Sequence, residues 1–130
     1  MCIFCSIIKG DIPCYKVYED DKFLAFLDIS QATIGHTLVV PKNHYKNIYE
    51  LPEDCDIFNV VIKLSKKIKD ATGALGVNIL NNNERHAGQT VDHYHIHIIP
   101  RYENDNFQIN FPENKLSKDE FLALQEKIAK

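Results

Sequence analysis

The chain has 130 residues, a formal net charge of −3 at neutral pH, 45% hydrophobic and 25% charged residues. This is the composition of one soluble globular domain able to bury its own core, and its charge excludes a protein that attracts nucleic acid or anionic lipid through its overall field. No apolar window is long enough for a membrane span or a secretory leader, so the expected setting is cytoplasmic, and the four cysteines do not form a disulfide framework there.

In chain order, residues 2–10 place Ile3, Phe4, Ile7 and Ile8 at helical spacing, with Gly10 as the stop. Asp11-Ile12-Pro13 breaks this helix. Tyr15 to Glu19 predicts a strand, Asp20-Asp21 a tight turn, and Lys22 to Ile29 a second strand. A loop over 30–35 leads to a strongly apolar third strand, His36 to Pro41, and a connector over 43–50. Pro52 to Thr72 predicts the long helix, with positions 57, 58, 61, 64, 65 and 68 on one stripe. Pro52, Glu53, Asp54 and Asp56 suit its start, Lys66, Lys67 and Lys69 its end, and Gly73 its stop. Val77 to Asn81 predicts a fourth strand, 82–89 a polar loop, and Thr90 to Arg101 a fifth strand. Residues 103–113 show no period. Ser117-x-x-Glu120 is a capping box opening a last helix to about Ala129, with Phe121, Leu122, Leu124 and Ile128 available for packing. No repeat or linker divides the chain. The expectation is a single α+β domain over 1–130 with an antiparallel sheet.

The chemistry gathers on His93-Tyr94-His95-Ile96-His97. Alternation with period two puts the three histidines on one strand face and Tyr94, Ile96 and Ile98 on the other. A solvated polar face is a weak explanation, because each neutral ring brings a donor and an acceptor that need partners. Metal ligation, a nucleophile, or both account for them better. Ala87-Gly88-Gln89-Thr90 directly precedes this segment, and its N–H groups, amide and hydroxyl suit a phosphate. A phosphate loop abutting a neutral imidazole suggests attack on phosphorus through a covalent phosphoramidate. Cys2-x-x-Cys5 is open to three readings: a redox pair, a chance pair, or a zinc half-site completed by two of the six histidines.

These segments together resemble the histidine-triad family of nucleotide hydrolases and transferases. His93 to Ile99 is similar to its His-φ-His-φ-His-φ-φ motif. Ile3-Phe4 with Ile7-Ile8, Ile12-Pro13, Phe26 to Ser30, His36 to His44, and Gly88 to Val91 resemble family segments in the same order, over roughly residues 2–101. The resemblance implies a five-stranded antiparallel sheet, flanked by one long and short helices and extended across a homodimer. The segment 117–129 would be a helical extension. It implies His95 as the nucleophile, supported and oriented by His36 and His97, which also help to handle protons. Asn82, Gly88, Gln89 and Thr90 would lie at the α-phosphate and Asp28 at the ribose hydroxyls. Ile3, Phe4, Ile7, Ile12, Phe26 and Ile29 would wall the base pocket. Cys2, Cys5, His44 and His93 would form a closed Cys₂His₂ set for a structural zinc, so no catalytic metal is needed. The implied activity releases AMP or GMP from purine nucleoside phosphoramidates or adenylylated conjugates. The alternatives are dinucleoside polyphosphate hydrolysis, or nucleotide and zinc binding by a regulatory protein with vestigial catalysis. Two departures stand out: Glu84 where related sequences often have Gly, and a C-terminal segment without the Trp-containing tail of the phosphoramidase branch. His86 reads as a surface-loop residue.

Overall fold

The computed structural model describes residues 2–130. Helix α1 (Ile3–Lys9) is followed by strands β1 (Lys16–Glu19), β2 (Phe23–Leu27) and β3 (Thr37–Pro41). Helix α2 (Ile57–Thr72), strand β4 (Gly76–Leu80), a 3-10 turn (Arg85–Ala87), strand β5 (Ile96–Arg101) and helix α3 (Lys118–Ala129) complete the chain. The strands form one sheet in the order β1-β2-β3-β5-β4, antiparallel at every pairing. The β1–β2 hairpin is set by Asp20, whose Oδ1 accepts from the backbone N–H of Lys22 and of Phe23, both at 2.8 Å. α1 and α2 each stop where Gly10 and Gly73 take left-handed φ values of 87° and 72°.

The period-two pattern sorts the sheet into two cores. Phe23, Ala25, Val39, Ile96 and Ile98 pack against Ile57, Val60, Val61 and Leu64 of α2. Leu24, Phe26, Leu38 and Val40 face the other way and pack with Phe4 of α1. Carried back along the chain, the same alternation puts Tyr94 in the α2 core and sets His93 and His95 against Phe4, with ring centroids 5.9 and 5.2 Å apart. The histidines therefore share the α1 face of the sheet.

Four details differ from the sequence reading. β5 begins at Ile96, so His93, at a bend, and His95 lie in the segment before it. Their backbone groups are used elsewhere: Tyr94 N–H donates to the Tyr45 carbonyl at 2.6 Å, and the His95 carbonyl accepts from the Asn81 amide at 2.8 Å. α2 begins at Ile57 and not at Pro52, because Cys55 N–H closes a turn onto the Pro52 carbonyl and the Asp56 carboxylate is held by Lys22 at 2.8 Å. On α2, Val60 is buried where Phe58, at 49% exposed, was expected. Finally, α3 has its capping box, but Phe121, Leu122, Leu124 and Ile128 are all exposed and no α3 residue is buried. Among the described residues no helix is long and apolar enough to cross a membrane.

Candidate active site and metal cluster

His95 is 5% exposed, at the end of the segment that feeds β5. Its Nδ1 lies 2.8 Å from the His93 carbonyl oxygen. A carbonyl only accepts, so Nδ1 carries the proton and Nε2 keeps its lone pair. Burial pushes the His95 pKa down, opposed by the His93 carbonyl and by Asp28, so the ring is neutral at pH 7. The result is a neutral imidazole with an unprotonated, nucleophilic Nε2.

The tautomers of the other two rings follow from one backbone N–H. Ala32 N–H donates to His36 Nδ1 at 3.2 Å, which puts the neutral His36 proton on Nε2. His36 Nε2 is 2.9 Å from His97 Nδ1, so it donates there, and His97 must carry its own proton on Nε2. His97 thereby keeps an Nε2–H donor beside His95, whose ring centroid is 5.0 Å away. Burial, then the neighbouring His95 and His36, hold the His97 pKa down at about 4. Burial also lowers His36, although Asp28 Oδ2 lies 3.7 Å from its Nε2 and acts in the opposite direction.

A second cluster shares His93. The ring of His93 is fully buried, and its Nε2 is 2.8 Å from the Pro41 carbonyl oxygen. That contact protonates Nε2 and leaves Nδ1 with its lone pair. Nδ1 faces Cys2 Sγ at 3.4 Å, Cys5 Sγ at 3.6 Å and His44 Nδ1 at 3.1 Å, and Cys5 Sγ is 3.3 Å from His44 Nδ1. Tetrahedral zinc with S and N ligands places its donor atoms about 3.3–3.8 Å apart. The four donors lie close to those spacings. Burial and the Cys2 sulfur push the Cys5 thiol up, a shift that a cation between the sulfurs would reverse. The donor set, the spacing and the Pro41 carbonyl that orients the His93 ring all fit a closed Cys₂His₂ metal site. Asp28, His36 and His97 also lie close enough together to share an ion. His36 argues against it: metal on Nε2 would require Nδ1–H, which would then face the Ala32 N–H donor.

The loop before the triad is built differently from the reading of it. Thr90 is exposed and Asn82 half-buried, with Asn82 Nδ2 3.5 Å from the Gly88 carbonyl. Gly88 has φ 93°, a backbone conformation that favours glycine, while a Cβ there would meet the Asn82 amide only at an ordinary contact distance of 3.4 Å. Gln89, expected at a phosphate, is instead 2% exposed. Its Oε1 accepts from Glu84 N–H, and its amide nitrogen donates to the Lys46 and Val91 carbonyls. No donor of that side chain is left for a ligand. His86 is exposed, as read.

Of the residues expected to wall a base pocket, Phe4 and Phe26 are buried and in edge contact at 5.6 Å, and Ile7 packs beside them. Ile3, Ile12 and Ile29 are 49%, 38% and 86% exposed. Asp28 is half-buried, and its Oδ1 accepts from Ser30 N–H at 2.8 Å. Sequence reasoning missed the supports: Asn81, which holds the His95 carbonyl, and Asn83, which bridges Asn81 at 2.7 Å to Ile48 N–H at 2.7 Å. The run of three asparagines at 81–83 was the available signal.

The family profile described as HIT domain matches residues 9–104. Adenosine 5'-monophosphoramidase hnt1 of Schizosaccharomyces pombe is 44% identical over 131 residues, covering 98% of this chain and 96% of that protein. A crystal structure of a HIT family member from Bacillus subtilis superposes with a TM-score of 0.92 at 46% identity, covering 98% of this chain and 94% of that one. A zinc-bound histidine triad family protein from Mycobacterium smegmatis superposes with a TM-score of 0.75 at 33% identity, covering 98% and 93%.

Proposed function

The chain belongs to the histidine-triad (HIT) family, and from that premise we propose that it is a nucleotide hydrolase working through a nucleotidyl-histidine intermediate on His95. The substrates are purine nucleoside phosphoramidates or adenylylated conjugates, and the product is AMP or GMP. The 44% identity to an adenosine 5'-monophosphoramidase supports phosphoramidates ahead of dinucleoside polyphosphates.

The observation that carries this reading is the 2.8 Å contact of His95 Nδ1 with the His93 carbonyl, which leaves Nε2 free to attack. In the first step Nε2 forms a bond to the α-phosphorus, and the bond to the leaving nitrogen or oxygen breaks with its electron pair. The leaving group takes up a proton from solvent, and the nucleotidylated His95 ring, which keeps its Nδ1–H, carries the positive charge until the second step. In the second step water forms the new P–O bond, the P–Nε2 bond breaks, and a proton is released with the nucleotide. The His97 Nε2–H is a hydrogen-bond donor to the phosphoryl oxygens as charge develops on them. It does not deliver a net proton through His36, because a neutral pair would be left with an imidazolate. Thr90 and Asn82 contact the α-phosphate, Asp28 the ribose hydroxyls, and Phe4, Ile7 and Phe26 the base, with Ile3, Ile12 and Ile29 at the rim.

Cys2, Cys5, His44 and His93 would hold a zinc ion through two thiolates and two Nδ1 atoms. A closed four-ligand set leaves no open coordination position, so its contribution is to tie α1 and the connector to the triad segment. A homodimer belongs to the same proposal, supported by the position of β4 at the edge of the sheet and by the exposed apolar side chains of α3.

The test is turnover of an adenosine phosphoramidate beside a dinucleoside polyphosphate, by wild type and His95→Ala. Wild type releases AMP from the phosphoramidate faster, and a nucleotidyl adduct on the His95 peptide is trapped by acid quench and mass spectrometry. His95→Ala still binds AMP and does not turn over. Full activity in His95→Ala, or nucleotide binding with no AMP release by wild type, refutes the reading.

A further inference from the structure

Gln89 is buried to 2% exposure, and every donor of its side chain is in use. Its amide joins three separate stretches of backbone. Oε1 accepts from Glu84 N–H at 2.7 Å in the loop after β4. Nε2 donates to the Lys46 carbonyl at 2.7 Å, two residues beyond His44. The same nitrogen donates to the Val91 carbonyl at 3.0 Å, two residues before His93. The backbone of Gln89 is bound as well: its N–H donates to the Glu84 carbonyl at 3.1 Å, and its carbonyl accepts from Arg85 Nη1 at 2.6 Å. Glu84 N–H to the side chain and Gln89 N–H to the Glu84 carbonyl close a reciprocal ring across the loop. With both halves of Gln89 turned inward, the next residue, Thr90, is the one presented to solvent.

We propose that Gln89 is a positioning residue, a clasp that fixes the connector carrying His44, the 82–89 loop and the approach to His93 relative to one another, and that it does not touch the phosphate. Its effect on catalysis passes through Thr90, Asn82 and His95, whose placement it sets. Loss of the amide leaves the part-buried Lys46 and Val91 carbonyls and the Glu84 N–H without these partners, a penalty borne by the loop itself. The activity readout rests on the hydrolase reading above; the structural readouts do not.

The experiment compares wild type, Gln89→Leu and Gln89→Glu. Gln89→Leu keeps the bulk without hydrogen bonds, and Gln89→Glu keeps an acceptor but turns a carboxylate onto two carbonyls. Both lower the melting temperature by about 5 °C or more and lose hydrogen-exchange protection at the Glu84 amide. Assayed well below their melting temperatures, both lose at least about tenfold in kcat, with little change in the KM set by the nucleoside pocket. The loss is equal for phosphoramidates with good and poor leaving groups. A variant with wild-type stability and Glu84 protection but reduced kcat makes Gln89 a direct phosphate contact and overturns the proposal. So does a variant unchanged in every readout. Should both variants fail to fold, the wild type decides: on AMP titration the slowly exchanging Gln89 side-chain amide keeps its protection and shift under the proposal, and a large shift with loss of protection overturns it. A wild type without hydrolase activity refutes the function proposed above and leaves the exchange and stability comparison to judge the clasp.

Discussion

Glu84 allows backbone strain to be measured beside the candidate site. It has φ 75° and ψ 155°, a region that only glycine occupies without penalty. It is held there by its N–H to Gln89 Oε1 and by its carbonyl, which accepts from Ala87 and Gln89 N–H at 3.0 and 3.1 Å. Its carboxylate makes no hydrogen bond or ion pair among the described residues, and the residue is exposed, so little is lost with the side chain. Backbone in this region costs about 1–3 kcal/mol for a residue with a Cβ. Glycine gives back about 0.5–1 kcal/mol through the larger entropy of its unfolded chain. At the middle of these ranges Glu84→Gly gains roughly 1 kcal/mol, which for a domain of this size is about 3–5 °C in melting temperature. The assay is thermal unfolding followed by circular dichroism at matched metal content, with Glu84→Ala alongside. Alanine keeps the Cβ and hence the strain, so it stays near wild type. An unchanged or lower melting temperature for Glu84→Gly, or an equal gain for Glu84→Ala, refutes the strain argument, the second result assigning the effect to the lost charge.

Two further outcomes follow from the same geometry. Burial holds His97 at about 4 against its ordinary 6.5, so between those values the unfolded chain binds a proton that the folded chain does not. Stability therefore rises with pH through that window and falls on acidification; melting temperatures from pH 4 to 7 show a shallower slope in His97→Asn, and an identical slope would remove His97 as its origin. Stripping metal with a chelator at neutral pH lowers the melting temperature of wild type, and Cys5→Ala shows the lower value without chelator; equal melting temperatures with and without metal, at a measured content of one zinc per chain in the loaded form, would count against a structural role for Cys2, Cys5, His44 and His93.

Much of the fold was legible because local chemistry and tertiary packing agree in it. Gly10, Gly73, Asp20 and the Ser117–Glu120 box each do what their residue types favour. Alternation from Tyr94 to Ile98 gave the two sheet faces, although only Ile96 onward is in the ladder. The misreadings come from partners distant in sequence. Asp56 does stand at the N-cap of α2, but its carboxylate bonds Lys22 on the hairpin and not the helix N–H groups. Phe58 fits the α2 stripe by period, yet Val60 fills the core position. The apolar stripe of α3 has no cover within the described residues, so periodicity alone could not say what it packs on.

At the site, residue identity was legible and protonation was not. The sequence shows three histidines on one face, and their types alone leave them equivalent. What separates them is one backbone group each. Pro41 O fixes the His93 proton on Nε2 and turns Nδ1 toward the cysteines; His93 O fixes the His95 proton on Nδ1 and frees Nε2; Ala32 N–H fixes His36 and, through it, His97. The first two assignments are opposite, although the rings lie two residues apart on one face. A ring that ligates through Nδ1 and a ring that attacks through Nε2 need opposite tautomers, and backbone carbonyls impose both without any charged residue. The coupling runs through the His93 peptide: its side chain belongs to the metal cluster while its carbonyl orients His95. A shift of that peptide therefore disturbs the metal cluster and the nucleophile together; the Tyr45 carbonyl holds its N–H, Pro41 holds the His93 ring, and Asn81 and Gln89 hold the flanking His95 and Val91 carbonyls.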